Sequence, residues 1–154
     1  MYAAVIALHV LAAVVWVGGM FFAYLALRPA LATTGVASAA TLWAAVFRRF
    51  FTWVWIAIAV LLASGFYMLF AGFGGFRHAP LIVNLMLALG LIMMLLFAWV
   101  WFRPYARLRR ALHAEDSAAA AAALRHTSRI FLINLILGLL VIVIAMTGAF
   151  AFYD

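Results

Sequence analysis

The sequence predicts an all-α integral membrane protein: a four-helix bundle built from two tandem helical hairpins, with both termini on the outer side. Three observations carry this. Hydrophobic residues fill 73% of 154 positions and charged ones only 8%, a balance outside the range of soluble domains. Four apolar stretches each reach the ~20 residues needed to cross a bilayer: Tyr2–Leu27, Phe50–Ala71, Pro80–Phe102 and Phe131–Tyr153. The ten basic residues, all arginine, gather between particular stretches. We read the chain as one transmembrane domain over residues 1–154.

Each stretch is expected to be helical, because backbone groups at bilayer depth find no water and must pair within their own segment. Arg28, Arg48 and Arg49 flank the first connection, and Arg103, Arg107, Arg109, Arg110, Arg125 and Arg129 fill the third. The second holds only Arg77. Basic loops stay in the cytoplasm, so the first and third connections lie inside, and the second lies outside with both termini. This is the topology of a multi-pass membrane protein with both ends on the non-cytoplasmic side. The N-terminal stretch lacks a basic leader and a small-residue cleavage site, so it is expected to remain as a helix.

The net charge of +7 therefore points to lipid headgroups as partner rather than to nucleic acid, since the arginines border the apolar stretches. The cytoplasmic connections are partly helical by pattern. Ser38 precedes the run Ala39–Arg49, and Asp116 with Ser117 precedes Ala118–Arg129, each a suitable N-cap. Trp43, Trp53, Trp55, Trp99 and Trp101 suit an aromatic belt at the inner interface.

The chain also repeats itself. Leu27-Arg28-Pro29 matches Phe102-Arg103-Pro104, and Ser38…Arg49-Phe50-Phe51 resembles Ser117…Arg129-Ile130-Phe131, as in parallel-repeat membrane proteins. In both copies the proline marks a helix end or a kink, with Arg28 and Arg103 reaching the cytoplasmic headgroups. The repeat places His9 opposite Asn84.

Among these stretches His9 is the one ionisable side chain apart from tyrosines. A histidine in hydrocarbon is costly and marks a functional site unless it has a structural partner. Steps of three and four from it pass through Ala12, Trp16, Gly19, Met20 and Ala23, and the fourth stretch has the similar line Asn134, Gly138, Val141, Ala145, Gly148. Such small-residue faces let membrane helices approach closely, so His9 points inward. At ~1.5 Å per residue it lies ~10 Å below the outer face, level with Ser64, Met86, Met146 and Thr147. Asn84 and Met68 lie slightly above it, and His78 in the outer loop above those. Histidine with methionine suits Cu(I) or a haem iron. Methionine is equally a common core filler, and His9 is equally able to hydrogen-bond Ser64, Thr147 or Asn84.

There is no cysteine and no paired carboxylate; Glu115, Asp116 and Asp154 are the three acids, none inside a stretch. Thiolate metal sites are thereby excluded, as is proton-driven transport on membrane carboxylates. No catalytic constellation is visible.

The run Leu8-His9-Val10-Leu11-Ala12-Ala13-Val14-Val15-Trp16-Val17-Gly18-Gly19, continuing to Leu27-Arg28-Pro29, resembles the first span of the CopD (copper resistance protein D) family of short bacterial membrane proteins. So do Arg48-Arg49-Phe50, Ser64-Gly65, Phe102-Arg103-Pro104 and Ile133-Asn134-Leu135 through Leu139. The resemblance implies that His9 is a metal ligand and that copper ion is bound or carried through a periplasm-side site completed by Met86, Met68, Met146 or His78. Trp16, Arg28, Arg103 and Asn134 would then frame the bundle. Family members often carry a second histidine early in the third helix, where this chain has Asn84. A more distant likeness is to HemJ-type protoporphyrinogen oxidases, whose His-Ala-Lys feature is absent here; it implies haem b with His9 as axial ligand, opposite which the sequence offers Met86, Met146 or Asn84. A third reading is a non-catalytic helical subunit. A periplasmic copper carrier and a second copy of the chain are the protein partners these readings suggest.

Overall fold

The computed structural model describes residues 1–32 and 36–150 and contains four long helices. We call them α1 (Tyr2–Leu31), α2 (Val36–Phe73), α3 (Leu81–His113) and α4 (Ser117–Phe150). All four contain an apolar stretch long enough to cross a membrane, as the sequence predicts. The predicted end of the fourth stretch at Tyr153 lies outside the described residues.

The helices run further than the hydropathy pattern alone marks. α2 spans 38 residues and α4 spans 34, so both project well past the ~20 residues that hydrocarbon requires. Asp116 caps α4, accepting the Ala119 N–H on Oδ1 at 2.9 Å, as its position suggests. α2 begins at Val36, which puts Ser38 inside the helix rather than at its cap.

Neither Arg-Pro pair ends its helix. α1 passes through a π-helical turn at Ala23–Leu27 and continues as Arg28–Leu31. α3 passes through one at Trp101–Tyr105 and continues to His113. A proline inside a helix clashes with the carbonyl four residues back. A wider turn moves that carbonyl away: the Arg28 N–H reaches the Ala23 carbonyl, five residues back, just before Pro29. The repeat in sequence is thus a repeat of π-bulges.

α1 pairs with α2 and α3 with α4, and the two hairpins join where α4 touches both α1 and α2. Close approach depends on missing side chains. Gly19 receives the Phe50 ring, Gly72 faces the Tyr2 hydroxyl, and Gly148 receives Ile82. At Gly138 three helices converge, since a Cβ there would lie 2.8 Å from Val17 Cγ2 and 3.1 Å from Met93 Cε. The outer turn between α2 and α3 uses Gly74 and Gly75 at φ 72° and 109°, a left-handed stop suited to glycine.

The inner half of the bundle is an aromatic core. Phe51 is fully buried, with ring centroids 5.1 Å from Phe47, 5.2 Å from Phe97 and 5.1 Å from Tyr105. Phe131 of α4 joins Phe47 at 5.4 Å and Phe50 at 6.0 Å. Trp43 belongs to this core, buried and 4.9 Å from Phe47, and not to the interfacial belt. Trp53, Trp55 and Trp99 are exposed, as belt residues should be. Leu8, Val14, Phe22 and Leu95 are also exposed; for a bundle whose solvent is lipid, an apolar exterior is the stable arrangement.

Candidate functional site

His9 is held by α1 in the half of the bundle that ends in the α2–α3 turn, on the side facing α2. Trp16, seven residues on, shares its face and is buried against Phe97, ring centroids 6.0 Å apart and nearly perpendicular. Ala12, Met20 and Ala23 are buried on the same side, so the predicted inward face of α1 is the observed one.

Opposite His9 stands Ser64 of α2, its Oγ 2.8 Å from His9 Nδ1. The Ser64 hydroxyl also lies within hydrogen-bond reach of the Val60 carbonyl one turn earlier, and at 3.4 Å from that of Leu61. A hydroxyl has one proton to give. With that proton on a backbone carbonyl, Ser64 Oγ accepts from the His9 Nδ1–H. In that arrangement the imidazole is the Nδ1–H tautomer, and Nε2 keeps its in-plane lone pair. This is the arrangement in which a histidine serves as a metal ligand, one nitrogen oriented by a hydrogen bond and the other free to donate.

Gly65 completes the cradle. A Cβ there would sit 3.4 Å from His9 Cε1 and 3.9 Å from Nδ1, so the bare backbone of α2 forms a wall for the ring. The sequence gives no separate signal for this role; only the pairing register of α1 with α2 reveals it.

Of the three hydrogen-bond partners the sequence offers for His9, Ser64 is the observed one. Thr147 turns its hydroxyl back on α4, donating to the Val143 and Ile144 carbonyls at 3.0 and 3.2 Å. Asn84 serves the outer turn, its Nδ2 donating to the Phe76 carbonyl at 3.2 Å and the Ala79 carbonyl at 3.4 Å.

The methionines divide between the hairpins. Met68 lies one turn outward of Ser64 on α2, partly buried. Met86 is partly buried on α3, and Met146 is 55% exposed on α4. His78 is exposed in the outer turn beside Gly74. Among the described residues no group of three or more His, Cys, Asp or Glu side chains could hold a metal ion, so a metal at His9 would need thioether or backbone donors. Arg28 and Arg103 are exposed at the inner end, Arg28 over the Tyr24 ring at 4.9 Å. Asn134 is buried at 3% exposure, consistent with an inward-facing stripe on α4.

No curated protein and no solved structure matches the chain. The family described as copper resistance protein D matches residues 44–147, a range that takes in Ser64, Gly65, Met68, Met86 and Asn134 and begins after His9. That match covers well over half of a chain whose four membrane-length helices and apolar exterior were reached independently of it: the protein belongs to the CopD family and is a membrane protein related to copper resistance.

Proposed function

We propose that the protein binds copper(I) at the outer end of the α1/α2 seam and passes it across the bacterial inner membrane, with His9 as the first ligand. The observation that carries this reading is the hydrogen bond from His9 Nδ1 to Ser64, which leaves Nε2 as an oriented donor.

Met68 is the first thioether partner. α1 runs inward from the N-terminus and α2 outward, and helix side chains lean toward their own N-terminus. His9 therefore leans outward and Met68, one turn above Ser64, leans inward, so the two converge. His78 stands as an outer donor nearer the entrance, with Met86 and Met146 as further thioethers at the level of His9. Imidazole with thioether is a soft, neutral set that suits Cu(I). The arginine-rich ends support an orientation with both termini and this entrance on the periplasmic side, where a copper carrier would deliver the ion.

The test is metal analysis and a visible spectrum of the purified protein after loading with Cu(I). One copper per chain, lost in His9→Ala with the helical circular dichroism retained, is the expected result. A Soret band that disappears in His9→Ala overturns the reading in favour of haem b. Neither copper nor haem leaves His9 a structural residue and overturns it as well.

A further inference from the structure

Two buried side-chain atoms have no hydrogen-bond partner among the described residues: Trp16 Nε1 and Asn134 Oδ1. Both lie inward of His9. Trp16 is seven residues along the same face of α1, ~10 Å deeper. Asn134 is one turn inward of Gly138, where Val17 of α1 and Met93 of α3 close on α4. One turn further inward Phe131 enters the aromatic core through Phe47 and Phe50. The Asn134 carboxamide thus sits in the dry centre of the bundle, just outside the aromatic plug.

An amide oxygen left unpaired in such a place lowers stability, and hydrocarbon offers it no water. Leucine has the same number of heavy atoms and the same branching, and would carry no such penalty. A polar group kept against stability inside a membrane bundle is a mark of a pathway. Its surroundings fit a soft cation. Met93 stands at the Gly138 crossing and is buried. Met20 is buried on α1 beside Gly19, which packs on Phe50, the ring that touches Phe131; this puts Met20 at the depth of Asn134. Two thioethers and one amide oxygen attract Cu(I) without a full negative charge to trap it, and conduction needs stations the ion can leave.

We propose that Asn134 Oδ1, one turn from the Gly138 crossing that holds Met93 and at the depth of Met20, is an inner station for copper(I) on its way from His9 to the cytoplasm. The proposal rests on the copper reading of His9. Transit involves no covalent step; the ion exchanges one set of neutral donors for the next.

The experiment compares wild type, His9→Ala and Asn134→Leu, reconstituted in vesicles, for Cu(I) uptake, copper stoichiometry and melting temperature. Asn134→Leu is expected to melt at or above the wild-type temperature and to keep its His9-dependent copper. Its uptake is expected to fall about tenfold or more, the scale of losing one metal-site contact. Uptake in Asn134→Leu equal to wild type, with His9→Ala inactive, overturns the inner station alone. A lower melting temperature in Asn134→Leu with uptake per folded protein unchanged overturns it as well, because the residue then serves packing alone. Wild-type vesicles without uptake remove both readings.

Discussion

His9 and Ser64 stand 55 positions apart in the chain and meet at 2.8 Å across the α1/α2 seam. Ser64 Oγ is also within reach of the Val60 carbonyl of its own helix, so a hydroxyl that donates there accepts from His9 Nδ1–H and leaves Nε2 free to bind a metal. Ser64→Ala is therefore expected to weaken copper(I) binding without abolishing it, by ~10–100-fold as for other residues that orient a ligand. His9→Ala should abolish binding. A competition titration against a chromophoric Cu(I) chelator measures both; equal affinities for wild type and Ser64→Ala would show that Ser64 does not orient the ring.

Gly65 makes a second, steric prediction. The ring edge of His9 lies at contact distance from the position a Cβ would take. Gly65→Ala is expected to be tolerated with little change in binding. Gly65→Val adds methyl groups where the imidazole lies and should push it off Ser64. Copper affinity should then fall as far as in Ser64→Ala, with helix content unchanged. If Gly65→Val binds copper like wild type, the wall formed by α2 is not what holds the ring.

The depth at which His9 would find a partner was legible from counting residues inward, because rise per residue is fixed in a helix. That counting brought Ser64, Met86, Met146 and Thr147 to one level, but depth says nothing about azimuth. Thr147 turned back on its own helix and Met146 turned outward, which only the packing of α4 on α1 and α3 decides. The repeat makes Asn84 the counterpart of His9, yet its amide closes the turn between α2 and α3, since that turn has carbonyls to satisfy. The prolines were read as ends or kinks from their missing N–H; a π-turn, which hydropathy cannot register, lets the helix continue. Trp43 looked interfacial by type and proved to be core because α2 extends inward past the lipid boundary, where its face meets aromatic partners rather than headgroups.

Gly138 joins three helices, and the prediction there concerns stability. Gly138→Val would press new methyl groups onto Val17 and Met93, and overpacking of this kind costs ~1–3 kcal/mol. The melting temperature in detergent should drop. Adding Val17→Ala should recover part of the loss, because it removes the side chain that clashes, and the coupling between the two positions is read from a double-mutant cycle. Strict additivity of the two changes would mean that Val17 is not the neighbour that limits Gly138.

The orientation of the bundle can be tested on a chain that has no native cysteine. Arg77 in the turn between α2 and α3, and Ala114 in the turn between α3 and α4, are both exposed, so a cysteine at either should be accessible without disturbing the core. The arginines crowd the end of the bundle that contains Ala114, and basic segments are retained in the cytoplasm. In intact cells stripped of the outer membrane, a membrane-impermeant maleimide should label Arg77→Cys and spare Ala114→Cys. Permeabilising the inner membrane should make Ala114→Cys reactive. The reverse pattern would invert the protein, put His9 at the cytoplasmic mouth, and turn the proposed inward route for copper into an outward one.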